Sequence, residues 1–182
     1  MAGRILVLNG VGSVGKSSIA RALQAITAEP FLHVQMDSFF EMLPAHLQDH
    51  PGSIQFVAGP DAPHPTVEIR LGPIGEALQR GIYGSVAALS RAGNNLILDD
   101  VMIAGPAGLL GALGDIRPGF VGVMAPLDVI EAREESRGDR LLGLARWQFE
   151  RVHVGQTYDL TVDAGTGSPQ ACARSIKSHF GL

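Results

Sequence analysis

Lysine is close to absent from this chain. Only Lys16 and Lys177 occur among 182 residues, and the formal net charge is −4. That balance leaves no basic field for a nucleic-acid backbone. Cysteine is scarcer still. Cys172 stands alone, which excludes an internal disulfide and fits a reducing cytoplasm. The apolar stretch 101–114 is too short to cross a bilayer and is broken by Pro106 and four glycines. The N-terminus runs directly into a strand-like segment without a secretory leader, so the sequence predicts a cytoplasmic protein that works away from the membrane. What remains is 46% hydrophobic and 18% charged, a composition and length suited to one domain over 1–182.

One of the two lysines stands in VLNGVGSVGKSSIA, residues 7–20, where Gly10, Gly15, Lys16 and Ser17 match the phosphate-binding pattern G-x-x-x-x-G-K-[ST]. The context agrees with the chemistry. RILVLN is a β-branched, apolar run of strand length, and Ile19, Ala22, Leu23 and Ile26 follow at helical spacing. Glycines let successive backbone N–H groups turn toward a phosphate without side chains in the way. The helix beginning at Lys16 adds its positive N-terminal end. The nucleotide-binding residues expected are therefore Gly10, Val11, Gly12, Ser13, Val14, Gly15, Lys16, Ser17 and Ser18, with the Ser17 hydroxyl available to Mg²⁺. The alternative is a glycine-rich turn carrying a solvated lysine.

Strand-like runs at 4–9, 31–36, 95–99, 120–124 and 160–162 alternate with helical segments at 16–28, 38–47, 74–92, 106–113, 127–137, 141–152 and 169–179. Alternation of this kind, with nearly continuous apolar strands, predicts an α/β fold whose parallel sheet is covered on both faces. Ligands then bind beyond the carboxyl ends of the strands. Residues 49–69 break the rhythm with four prolines and little periodicity, and read either as a substrate-covering flap or as a passive loop.

Carboxylates close two of the strands. Within HVQMDSFF the second strand ends at Asp37, which would reach the ligand crevice and accept a proton from an alcohol, with Ser38 capping the next helix. NLILDDV ends in Asp99 and Asp100, which strand alternation sends to opposite sides; Asp99 is expected to support magnesium and Asp100 to lie near the substrate. Phe39, Phe40 and Met102 are further acceptor-side candidates. Arg133, Arg137 and Arg140 crowd into EAREESRGDR. They form either a solvated, ion-paired helix face or a small lid that lowers arginines onto phosphates, with Gly138 as its hinge. Arg133 and Arg137 share a face, which favours an anion between them. His46 and His50 have helical metal-ligand spacing but no third ligand, and read as solvated. Trp147 and Phe149 read as packing residues, and DAGTGSP as either a loop under an adenine or a plain turn.

In their order and spacing, ILVLNG…GKSS, EPFLHVQMDSF, LSRAGNNLILDDV, RGDR and YDLTVD resemble the chloramphenicol phosphotransferase family over most of the chain. The resemblance implies a three-layer P-loop NTPase fold with a five-stranded parallel sheet flanked by helices, similar to nucleoside monophosphate and shikimate kinases. A small lid would lie near 133–141 and a substrate-covering segment near 38–72. It also implies transfer of the γ-phosphoryl group of ATP, with Mg²⁺, to a hydroxyl of an antibiotic, with Asp37 as general base. The acceptor is then chloramphenicol or another hydroxylated natural product, because residues 51–68 carry their own proline-rich sequence. A zeta-toxin-like sugar-nucleotide kinase and a nucleotide-dependent switch are the rival readings.

Overall fold

The computed structural model describes residues 1–59, 65–138 and 141–182. Strand β1 (Ile5–Asn9) is buried along its whole length. Leu6 and Leu8 face one apolar cluster and Ile5 and Val7 the other, as expected of a central strand covered on both faces. β2 (Phe31–Gln35), β5 (Asn95–Asp100), β6 (Gly119–Met124) and β7 (Leu160–Asp163) complete a five-stranded sheet in the order β2-β5-β1-β6-β7, parallel throughout. Helices α1 (Lys16–Gln24) and α7 (Pro169–Phe180) pack on one face and α3 (Pro73–Arg91) and α4 (Ala107–Leu113) on the other. The register sets Asn9 opposite Asp100 and Gln35 opposite Asp99, so three strands end on one line. α1 starts at that line, and Gly15, at φ 111°, makes the turn into it.

Two segments depart from the sequence expectation. Residues 49–69, expected to lack regular structure, contain the strand β3 (Ile54–Ala58), which pairs antiparallel with β4 (Val67–Leu71). The short alternations IQF and VEIRL carry the period of a half-buried strand, and the prolines around them mask it. Ile54, Phe56, Ile69 and Leu71 turn inward, while Glu68 and Arg70 pair on the exposed face. The helix expected over 38–47 is also shorter. α2 spans Met36–Phe40, and only a 3₁₀ turn, Ala45–Leu47, follows. Pro44 stands between them, lacking the N–H a continuing helix needs and restricting Leu43 before it. Ser38 lies inside α2, not at its cap.

Beyond β6, α5 (Leu127–Arg137) ends at Gly138, whose φ of 66° closes the helix. α6 (Leu144–Phe149) is shorter than the helix expected over 141–152, because the chain turns at Gly143, at φ 92°. A Cβ there would stand 2.3 Å from the Pro65 carbonyl oxygen, so only glycine fits. The Gly143 carbonyl accepts from Val67 N–H at 3.1 Å, which ties the hairpin to α6. The buried Glu134 carboxylate accepts from Gly143 N–H at 2.9 Å and Ala145 N–H at 2.8 Å. One side chain of α5 thus satisfies the otherwise unpaired start of α6. Glu134→Ala leaves both donors buried without a partner. It is expected to cost about 2 kcal/mol, roughly 4–8 °C in Tm for a chain of this size, read by scanning calorimetry. Glu134→Gln, which keeps one acceptor, should lose less.

Candidate active site

The glycine loop, α2, the ends of β5 and the β3–β4 hairpin enclose a cavity of about 1130 Å³. At its base Lys16 is 7% exposed, and its Nζ donates to the carbonyls of Gly10 at 2.8 Å and Val11 at 2.9 Å. Asp99 Oδ1 lies 3.7 Å away. The ammonium thus rests on its own loop, at the edge of the space a phosphate would enter.

Asp99 faces this loop. Its Oδ2 accepts from the Ser17 hydroxyl at 2.6 Å, and His33 Nε2 stands 3.4 Å from the same oxygen. Burial works to raise the Asp99 pKa, but the Lys16 ammonium and contacts with His33 and Ser17 hold it below the ordinary carboxylate value. A hydroxyl and one ionised carboxylate suit Mg²⁺, which keeps several waters and shares ligands with phosphates. Among the described residues no cluster of three or more His, Cys, Asp or Glu side chains is arranged to hold a metal alone. His46 and His50 join no such cluster, and His50 Nδ1 accepts from Gly52 N–H.

Asp100 turns the other way, as the alternation of β5 requires. It is 4% exposed, accepts from the Tyr83 hydroxyl at 3.0 Å and from Val101 N–H at 2.6 Å, and borders the cavity with Tyr83. Burial pushes its pKa up to about 6, and burial with the nearby Asp100 pushes the Tyr83 phenol upward as well.

The remaining predicted positions divide. Asp37 is exposed in the first turn of α2 and lines the cavity with Phe40 and Met102, whereas Phe39 packs against the core behind them. Ser13, Val14, Gly15, Ser17 and Ser18 line it as expected, but Gly10 and Val11 contribute through their carbonyls to Lys16. Arg133 is half-buried in a regular helix, and its guanidinium donates to the carbonyls of Val14 at 3.0 Å and Ala164 at 2.8 Å. Arg137 is exposed and borders the cavity; Arg140 lies outside the described residues. In the loop at 163–169, Ala164, Gly167 and Pro169 line the cavity, and Ser168 caps α7. Trp147, expected only to pack, borders the cavity with the Arg151 guanidinium 4.9 Å from its ring centre.

Sequence reasoning missed Gln148, whose Oε1 accepts from Gly12 N–H at 2.7 Å, and likewise Glu134, His33 and Tyr83. Asn9 was missed as well: its side chain receives Met102 N–H and donates to Val152 O and the Tyr158 hydroxyl. None of these belongs to a local motif. The one available signal is polar residues at positions where the apolar pattern asks for core, as at Asn9 and His33.

The fold recurs in solved structures. A sugar kinase from Janibacter sp. HTCC2649 superposes with a TM-score of 0.69 at 16% identity, covering 99% of this chain and 95% of that one. The Mycobacterium tuberculosis APS kinase, in complex with AMPPNP and APS, gives 0.68 at 14% identity, covering 100% and 99%. In sequence, a Mycobacterium tuberculosis protein provisionally named an O-phosphotransferase is 28% identical over 185 residues, covering 98% of this chain and 82% of its own. The model of the family described as chloramphenicol phosphotransferase-like protein matches residues 3–181, nearly the whole chain. A kinase fold, a complete P-loop and that match converge: the chain belongs to the chloramphenicol phosphotransferase-like family and is a P-loop phosphotransferase.

Proposed function

We propose that the protein transfers the γ-phosphoryl group of ATP, with Mg²⁺, to a hydroxyl of a neutral, largely apolar antibiotic, and so confers resistance to it. The observation that carries this reading is the uneven lining of the cavity. Its described cationic residues, Lys16, Arg21, Arg133 and Arg137, all come from α1 and α5. The opposite wall consists of Phe40, Ile54, Phe56, Ile69 and Leu71, with Asp37 and Glu41 as its charges. Among the described residues, a phosphorylated or carboxylated acceptor would find no cation there and would face two acids. A neutral molecule with an apolar body and a hydroxyl fits this wall.

In this mechanism Lys16 leaves the Gly10 and Val11 carbonyls for the β and γ phosphates and stabilises the charge spread over the transferring group. Ser17 and Asp99 would hold Mg²⁺, which would supply positive charge to neutralise the phosphates. Asp37 orients the acceptor hydroxyl and takes its proton as the new O–P bond forms and ADP leaves. Arg137, in the last turn of α5, would meet the phosphates, with Arg140 proposed for the same charge-stabilising role, while Arg133 keeps Val14 and Ala164 in place. Phe40, Asp100 and Met102 border the acceptor.

Lys16→Ala removes the positive charge at the base of the loop. It is expected to abolish turnover and weaken Mg²⁺-ATP binding in calorimetry; wild-type affinity and rate would refute the phosphate role.

Asp37→Asn preserves shape but cannot take a proton. The variant should fold, bind Mg²⁺-ATP normally, and phosphorylate hydroxylated antibiotics at least about a hundredfold more slowly, read by product formation across an antibiotic panel. Equal loss of nucleotide binding would move Asp37 to the metal site, and unchanged kinetics would leave it without a catalytic role.

A further inference from the structure

The amide of Gln148 has its orientation fixed by chemistry. The Gly12 N–H can only donate, so the side-chain atom 2.7 Å from it is the oxygen, and the –NH₂ group is left as a donor. Gln148 is 3% exposed and what it exposes borders the cavity. No hydrogen bond of its Nε2 to protein is found among the described residues.

The position of that donor is set by a single peptide unit. The Val11 carbonyl accepts from Lys16 Nζ at 2.9 Å, and the N–H of the same peptide, that of Gly12, holds Gln148. Before nucleotide enters, the Lys16 ammonium and the Gln148 amide therefore lie on the two edges of one planar group, and each bond polarises the other. A Cβ at position 12 would stand 3.1 Å from Oε1, so glycine lets the amide come this close. The support is stiff: Glu134 fixes the start of α6, and Arg133 ties α5 to Val14 of the same loop.

Resting on the phosphotransferase reading above, we propose that Gln148 is a catalytic residue, its Nε2–H donating a hydrogen bond to a γ-phosphoryl oxygen of the bound nucleotide. A neutral, preorganised donor opposite Lys16 stabilises charge on the transferring group without accepting or releasing a proton. The contact discriminates between nucleotides, because ADP has no γ-phosphate to receive it.

The test compares affinities for Mg²⁺-ADP and a non-hydrolysable ATP analogue by calorimetry on the full chain, so no acceptor need be known. Gln148→Glu keeps an oxygen for Gly12 N–H but replaces the donor with a negative charge. It should bind the analogue roughly ten- to a hundredfold more weakly while ADP stays within about twofold. Gln148→Met removes the donor without adding charge and should lower the analogue-to-ADP affinity ratio about tenfold. An unchanged ratio in both variants, or an equal loss for both nucleotides, would overturn the proposal and leave Gln148 a brace of the loop. Failure of the underlying reading looks different: the wild-type protein would bind neither nucleotide.

Discussion

The cavity depends on one buried charge. An ammonium at 7% exposure is costly unless its three donors are engaged, and Lys16 spends them on two carbonyls and the field of Asp99. Those partners are close only because β1 and β5 pair in the register that brings Asn9 level with Asp100. A one-residue slip would exchange Asp99 for Asp100 at the loop and swap the two apolar clusters that the β5 side chains enter. The two apolar clusters that fix the register therefore also fix the charge. The second lysine has a plainer task, its Nζ donating to the Ile26 carbonyl and tying α7 to the end of α1.

Three side chains bind the α5–α6 segment to this base. Arg133 holds the loop at Val14, Glu134 organises the start of α6, and Gln148 on α6 returns to Gly12. Because Gly143 also pairs with Val67, α6 is tied to the β3–β4 hairpin as well as to the glycine loop. Two parts of the cavity lining are joined through one short helix. That linkage accounts for the burial of Glu134, since a buried carboxyl group is tolerated there only with both oxygens engaged.

How far the residues alone revealed this follows from the range of the interactions. The P-loop was legible because its chemistry is local: glycines, lysine and serine within eight positions, between a strand and a helix. The five strands were legible because burial on both faces leaves continuous apolar runs. β3 and β4 were not, since each is only five residues long and their alternation is diluted by proline. Gln148 and Glu134 could not be found, because their partners at Gly12 and around Gly143 are chosen by tertiary packing. The arginine cluster was located without its function being specified. A helix face offering Arg133 and Arg137 together suggests a shared anion, yet Arg133 finds carbonyls of the loop instead.

The carboxylate pair at the end of β5 carries the deeper consequence of the strand's period of two. Adjacent in sequence, Asp99 and Asp100 would repel if they shared a side. Alternation places one beside Lys16, where the ionised form is favoured, and the other against Tyr83, where burial opposes ionisation. The charged carboxylate thus stands where a cation and phosphates would meet, and the reluctant one stands near the apolar wall. The Tyr83 hydroxyl and the Val101 N–H satisfy Asp100 locally, which allows a polar residue at the acceptor end without surrendering the electrostatic asymmetry of the cavity.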